Sequence, residues 1–179
     1  ITSETINLLM TILGYKDPEI INHSKHVAEI ATVLFELFSL DINQMDMRLA
    51  AYLHDLGKIG ITDKILLARK QVSELEYDEI KKHPEIGYNL IKNYDYPDEI
   101  KKSVLLHHEK WNDKGYPQGI SGEQIPLYVR VLTIADSIDA ILSERPYKKK
   151  KSFTQLKKEL KMEAGKTFDP SLIDILLTN

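Results

Sequence analysis

Apolar residues recur at helical spacing along most of the chain. Between Glu19 and Phe38 they fall at Val27, Ile30, Ala31, Leu34 and Phe38, the stripe of an amphipathic helix. Asp17-Pro18 precedes that stripe with an N-cap carboxylate and a proline at the first helical position. Ser73-Glu74-Leu75-Glu76 has a capping-box pattern and predicts a helix running towards Tyr94. Pro97 opens a segment reaching about His108, and Pro126 opens one reaching about Ser143. Ser152-Phe153-Thr154-Gln155 repeats the capping-box pattern, and Asp169-Pro170 starts a short last helix. Two stretches interrupt the pattern. Gly57 to Asp63 reads as a turn, and Asn112 to Gln124 reads as a loop because it holds Gly115, Pro117, Gly119 and Gly122. There is no alternating run of strand length, no internal repeat and no dividing linker. The prediction is a single all-α domain over 1–179.

Composition narrows the chemistry. The 179 residues suffice for one domain with a substantial core, and 42% hydrophobic with 28% charged residues is ordinary for a soluble fold. No apolar run approaches the roughly 18 residues of a membrane span, and no signal peptide is evident. The absence of cysteine excludes disulfides, thiolate catalysis and Cys-ligated zinc, and fits the expected cytoplasmic compartment. A formal net charge of −3 speaks against duplex nucleic acid as partner. An anionic small substrate then needs metal ions or a few placed Lys and Arg. Because the first residue is Ile1, the chain reads as a domain excised from a longer protein.

Six histidines carry the sharper signal: His23, His26, His54, His83, His107 and His108. His54-Asp55 and His107-His108-Glu109 follow apolar helical stretches, which puts them at helix ends. Imidazole and carboxylate are natural ligands for Zn, Mn or Fe. Glu19 and His23, four apart, share a helix face on or beside the apolar stripe, and Asp136 and Asp139 lie three apart on the helix opened by Pro126. Buried carboxylates are costly unless paired or bound to a cation. Each residue alone has a plainer reading: a hydrogen-bonded core histidine, Glu19 as a first-turn acid, Asp17 as a cap, His26 as a surface or supporting residue, and Lys148 to Lys151 as a solvated run. The adjacent His-Asp and His-His pairs together favour a metal site.

Read together, the motifs resemble the HD-GYP family of the HD superfamily, over roughly residues 17 to 175. His54-Asp55-Leu56-Gly57-Lys58-Ile59-Gly60 is similar to its HD motif, and His107-His108-Glu109 with Gly115-Tyr116-Pro117 to its second signature. Asp136 through Ala140 and Arg145-Pro146-Tyr147 are similar to a third block, Lys82-His83-Pro84-Glu85-Ile86-Gly87 to a His-Pro-x-x-Gly segment, and Phe168-Asp169-Pro170 to the family's end. The resemblance implies a compact helical bundle with a Gly-Tyr-Pro loop. It implies as metal ligands His23, His54, Asp55, His83, His107, His108 and Asp136, with Glu19 as the extra carboxylate of members holding three ions rather than two. Asp55 would bridge two ions, Lys58 would stand next to the attacking water, and Asp17, Tyr116, Asp139, Arg145 and Lys148 would face substrate.

The activity implied is bacterial second-messenger hydrolysis. Two or three divalent ions, Fe or Mn, would activate a bridging hydroxide that opens cyclic di-GMP to the linear dinucleotide pGpG and/or GMP. The implied partners are the cyclic dinucleotide, a second copy of the chain or an attached N-terminal regulatory domain, with no membrane. Rival readings are hydrolysis of another nucleotide such as cyclic GMP-AMP, and a catalytically weak sensor or partner-binding module. The sequence departs from the family pattern at Trp111-Asn112-Asp113, where Trp-Asp-Gly is usual, at Ile61-Thr62-Asp63, where Ile-Pro-Asp is common, and at His26, often Arg. None removes a proposed ligand. Asp113 in place of glycine bears on the loop's geometry, since glycine tolerates positive φ better.

Overall fold

The computed structural model describes residues 3–68, 73–143 and 150–178. Among the described residues there are ten α-helices: α1 (Ser3–Lys16), α2 (Pro18–Leu37), α3 (Gln44–Leu53), α4 (Asp63–Leu66), α5 (Glu74–Ile80), α6 (His83–Ile91), α7 (Asp98–Leu106), α8 (Leu127–Leu142), α9 (Phe153–Glu163) and α10 (Pro170–Thr178). No strand occurs among the described residues; one isolated bridge joins Ala164 to Phe168. The long helix α2 is the spine, with α3 and α8 packed along it. Its stripe enters the core at Val27, Ala31 and Leu34, where it meets Met47, Ala50 and Ala51 of α3 and Val131, Leu132 and Ala135 of α8. A smaller cluster of Leu106, Ile125 and Val129 closes the end near the glycine-rich loop.

The helix starts follow the sequence signals. The Asp17 carboxylate accepts from the Glu19 N–H at 3.0 Å, and capping boxes form at Ser73 and Ser152. Two stretches differ from the sequence reading. Gly57–Asp63 is not a plain turn: Leu56–Gly60 winds as a 3₁₀ helix and Asp63 begins α4. The helix expected from Ser73 to Tyr94 is two helices, because Pro84 cannot donate the hydrogen bond that would continue it back to Ile80. That interruption places His83 at the start of α6.

Candidate metal centre

Three histidines sit where helices end, and the ends set their chemistry. The last carbonyls of a helix lack intrahelical partners. The His54 Nδ1–H donates to Ala51 O at 2.6 Å, His107 Nδ1–H to Val104 O at 3.0 Å, and His83 Nδ1–H to Ile80 O at 2.7 Å. The Ile80 carbonyl is the one that Pro84 leaves free. A carbonyl only accepts, so each Nδ1 carries the proton and each Nε2 presents a lone pair.

Those lone pairs converge. Ligand atoms of Asp55, His83, His107 and His108 lie within 4.8 Å of one another, as do those of His23, His54 and Asp136. The Nε2 atoms of His83 and His107 are 3.1 Å apart. Two bare lone pairs at that distance repel unless a proton or a cation lies between them. Burial, with His108 and His54 nearby, holds the His107 pKa well below its ordinary value, which disfavours the proton. The His54 Nε2 is buried with no hydrogen-bond partner. These nitrogen and carboxylate donors fit divalent ions of the Mn, Fe or Zn type.

Asp55 stands between the two groups. Its Oδ2 is 3.4 Å from His54 Nε2 and 3.7 Å from His23 Nε2, while its Oδ1 is 3.3 Å from His83 Nε2 and 3.9 Å from His107 Nε2. The Lys58 ammonium reaches Asp55 Oδ2 at 2.6 Å. Burial raises the cost of the Asp55 charge, but Lys58 and His54 outweigh it and hold the carboxyl well below the usual range. Two glycines make this closeness feasible. A Cβ on Gly57 would lie 1.8 Å from His83 O, and one on Gly87 would meet Val104 Cγ1 at 2.8 Å and Gly57 N at 3.1 Å. The turn carrying Asp55 therefore packs directly on the backbone of α6, and Lys16 of α1 ties that turn down through Ile59 O at 2.9 Å.

His23 is clasped by carboxylates. Its Nε2 faces Asp136 Oδ1 at 3.1 Å and its Nδ1 faces Asp139 Oδ2 at 2.6 Å. Burial opposes the imidazolium, yet the bonds to Asp136 and Asp139 prevail and raise the pKa to about 9. The other oxygen of Asp139 takes His26 Nδ1 at 3.2 Å and the Ser143 hydroxyl at 2.8 Å. Asp139, read from sequence as a substrate-side group, is thus buried behind His23, with both oxygens engaged. Burial and the neighbouring His83 lower the His108 pKa to about 3, so this ring is neutral.

The Gly-Tyr-Pro loop folds back over the group that contains His108. Tyr116 N–H donates to His108 O at 3.2 Å, and the two rings stack with centroids 4.8 Å apart. A Cβ on Gly115 would lie 2.4 Å from Lys110 N and 2.6 Å from His108 O, so only glycine permits this approach. Asp113 adopts φ 64°, the left-handed region where the family pattern has glycine. Glu109, given no role by sequence reasoning, is buried and accepts from the Gln118 and Gly119 N–H groups at 2.6 and 3.1 Å. Its position beside His107-His108 is the signal that could have found it.

Asp17, Glu19, His23, His26, Lys58, Asp139 and Lys150 line a cleft of about 500 Å³ alongside the donor group that contains His23. Glu19, in the first turn of α2, is exposed on that wall and belongs to neither group. Arg145 and Lys148 lie outside the described residues.

The fold is an all-α one built around clustered His and Asp. The family model described as "HD domain" matches residues 7–172. The chain is 32% identical over 97% of its length to the "Cyclic di-GMP phosphodiesterase" of Thermotoga maritima, covering 48% of that protein. It is 35% identical over 97% of its length to the "Cyclic di-GMP phosphodiesterase response regulator RpfG" of Xanthomonas campestris pv. campestris, covering 47%. The chain thus spans about half the length of the curated relatives it matches. Among solved structures, an HD-GYP-type protein of Bdellovibrio bacteriovorus superposes with a TM-score of 0.71 at 19% identity, over 89% of this chain and 53% of the other. The chain belongs to the HD domain family, in its HD-GYP branch. No helix among the described residues is long and apolar enough to cross a membrane.

Proposed function

We propose that this domain is a metal-dependent phosphodiesterase that opens a cyclic dinucleotide, cyclic di-GMP first among them, to the linear dinucleotide and/or GMP. The observation that carries the reading is Asp55, whose two oxygens face two separate donor groups. His23, His54 and Asp136 would hold one ion, His83, His107 and His108 the other, with Asp55 shared. Bound Fe or Mn would supply Lewis acidity at a phosphate and a water acidic enough to ionise near neutrality.

The chain's own residues do the rest. Lys58, anchored on Asp55, places an ammonium at the mouth of the site, where it offsets negative charge developing on phosphate or assists proton transfer. Asp139 fixes the ring of His23 through Nδ1 and leaves Nε2 facing the donor group. Tyr116, braced on His108, bounds the site on the loop side, where its ring offers a face to a nucleobase. Arg145 and Lys148 are assigned to the phosphates on sequence grounds. Glu19 on the cleft wall would serve a third ion, on which cleavage through to GMP would depend, and Asp17 beside it would face substrate. Regulation would come from an attached domain or a second copy of the chain.

The test is turnover by anaerobically purified protein loaded with Mn(II) or Fe(II), with cyclic di-GMP and cyclic GMP-AMP in parallel and products separated by chromatography. Metal content is measured on the same sample. Two bound ions without hydrolysis of either substrate would refute the activity, and ligand binding without product would identify a sensor.

A further inference from the structure

Behind the Gly-Tyr-Pro loop, on the side away from the donor groups, lies a small cavity lined by Glu109, Trp111, Arg130, Thr133, Thr167 and Asp169, among others. It offers about 10 Å³ to a water-sized sphere. Two charged groups open onto it with bonding capacity unspent: Glu109 Oε2 and Arg130 Nε are both buried and without a hydrogen-bond partner. Glu109 is 1% exposed. A buried polar group left without a partner forfeits its hydration with no compensating hydrogen bond. The space is about that of one water molecule.

We infer that this cavity holds one structural water, and that Glu109, Arg130 and Asp169 form with it a clamp that positions the Gly-Tyr-Pro loop. The water accepts from Arg130 Nε–H and donates to Glu109 Oε2. Its second hydrogen goes to Thr133 Oγ1, whose own proton is directed to His107 O at 3.1 Å or Val129 O at 3.0 Å. Three hydrogen bonds are typical of a buried water.

The clamp has two jaws. On the loop side, the other oxygen of Glu109 holds the Gln118 and Gly119 amides, directly after Tyr116-Pro117. On the far side, Arg130 of α8 binds Asp169 Oδ2 at 2.5 Å, and Asp169 in turn takes the Ser171 N–H at 2.9 Å as α10 begins. The Trp111 ring lies under the Arg130 guanidinium at 5.6 Å, and the Trp111 backbone N–H donates to Thr167 O at 3.2 Å. Phe168-Asp169-Pro170, far in sequence from every proposed ligand, thereby acts on the loop that seats Tyr116 against His108. Glu109, Arg130 and Asp169 are positioning residues. Their effect on catalysis rests on the phosphodiesterase reading; the clamp itself does not.

The experiment pairs two readouts that need no turnover with one that does. A high-resolution crystal structure of the metal-loaded protein is expected to show an ordered water within hydrogen-bond reach of both Glu109 Oε2 and Arg130 Nε. An empty cavity, or direct contact between the two side chains, overturns the proposal whether or not any variant folds. Arg130→Met is expected to accelerate hydrogen exchange at the Gln118 and Gly119 amides about tenfold and to shift the emission of Trp111, the only tryptophan, with bound metal unchanged. Arg130→Lys, which keeps the charge but cannot donate from Nε, is expected to behave like Arg130→Met at those amides. Unchanged exchange in both variants overturns the clamp. Kinetically, Arg130→Met is expected to raise KM for the cyclic dinucleotide several-fold with kcat little changed. A fall in kcat alone at constant KM would overturn the positioning role, while inactivity of the unmutated protein would count only against the phosphodiesterase reading.

Discussion

Gly57→Ala adds one methyl group at the point where the two donor groups are tied together. The new Cβ would stand 1.8 Å from His83 O and 2.5 Å from Gly87 N, both backbone atoms that no rotamer change can remove. Reaching ordinary contact at 3.4 Å requires the His83 carbonyl to retreat by about 1.6 Å. Metal–ligand distances tolerate roughly 0.2 Å, so His83 cannot keep its place beside Asp55 after such a shift. Gly57 does not have positive φ, so the effect is steric rather than conformational. Overpacking of this kind costs about 1–3 kcal/mol, and the upper end applies because the neighbours are backbone. Measured without metal, the variant is expected to be destabilised by about 3 kcal/mol in urea unfolding. Elemental analysis should find the ion at His83, His107 and His108 lost and the one at His23, His54 and Asp136 retained. A variant that keeps two ions and unfolds within about 0.5 kcal/mol of the parent would refute the claim that this glycine contact assembles the centre.

Other outcomes follow from the same geometry. Asp55→Ala should lose both ions and all activity, and elemental analysis showing two ions would contradict the shared carboxylate. Lys58→Met should retain both ions while kcat falls by about a hundredfold; undiminished kcat would remove Lys58 from the chemistry. Metal-free protein should be most stable near pH 6.5, as read by thermal melting against pH. His23, raised from 6.5 to about 9, contributes stability that is full below 6.5 and is lost as pH rises through 9. His108, lowered to about 3, leaves the unfolded chain binding the extra proton below 6.5, so stability falls towards acid. Saturating metal should displace the His23 proton and flatten the alkaline limb; an alkaline limb unchanged by metal would refute that displacement. Gly115→Ala should keep both ions but raise KM, because a Cβ there forces the loop off Lys110 N and His108 O; an unchanged KM would detach the loop from substrate.

Much of this was legible locally. Helix starts at Asp17-Pro18, Ser73 and Ser152 are short-range hydrogen-bonding events, and they form where the residues predict. The identity of the donors was legible too, because neutral imidazoles and carboxylates in adjacent pairs have few other uses in a core. The tautomers of His54 and His107 follow from their place at helix ends, and that of His83 from the proline after it. The proline also marked the break within 73–94, a local signal outweighed by the apolar spacing around it. The first sixteen residues carry no single-faced stripe. In α1, Met10 and Leu13 are buried while Leu8, Ile12 and Tyr15 are exposed, so periodicity alone could not orient it.

What the tertiary structure decided is which donors come together and which carboxylates stand behind them. Asp136 and Asp139 are equally plausible ligands on the helix face, yet one meets His23 Nε2 and the other meets its Nδ1. That distinction arises from how α8 lies against α2 across 116 residues of sequence. Glu109 shows the same limit: sequence reasoning gave it no role, and only the returning loop brings the Gln118 and Gly119 amides to its carboxylate. Residue type and short-range spacing set the donor chemistry, because caps and tautomers depend on neighbours within a turn. The pairing of donors depends on backbone contacts such as Gly57 on His83, made between segments that meet only once the core has packed.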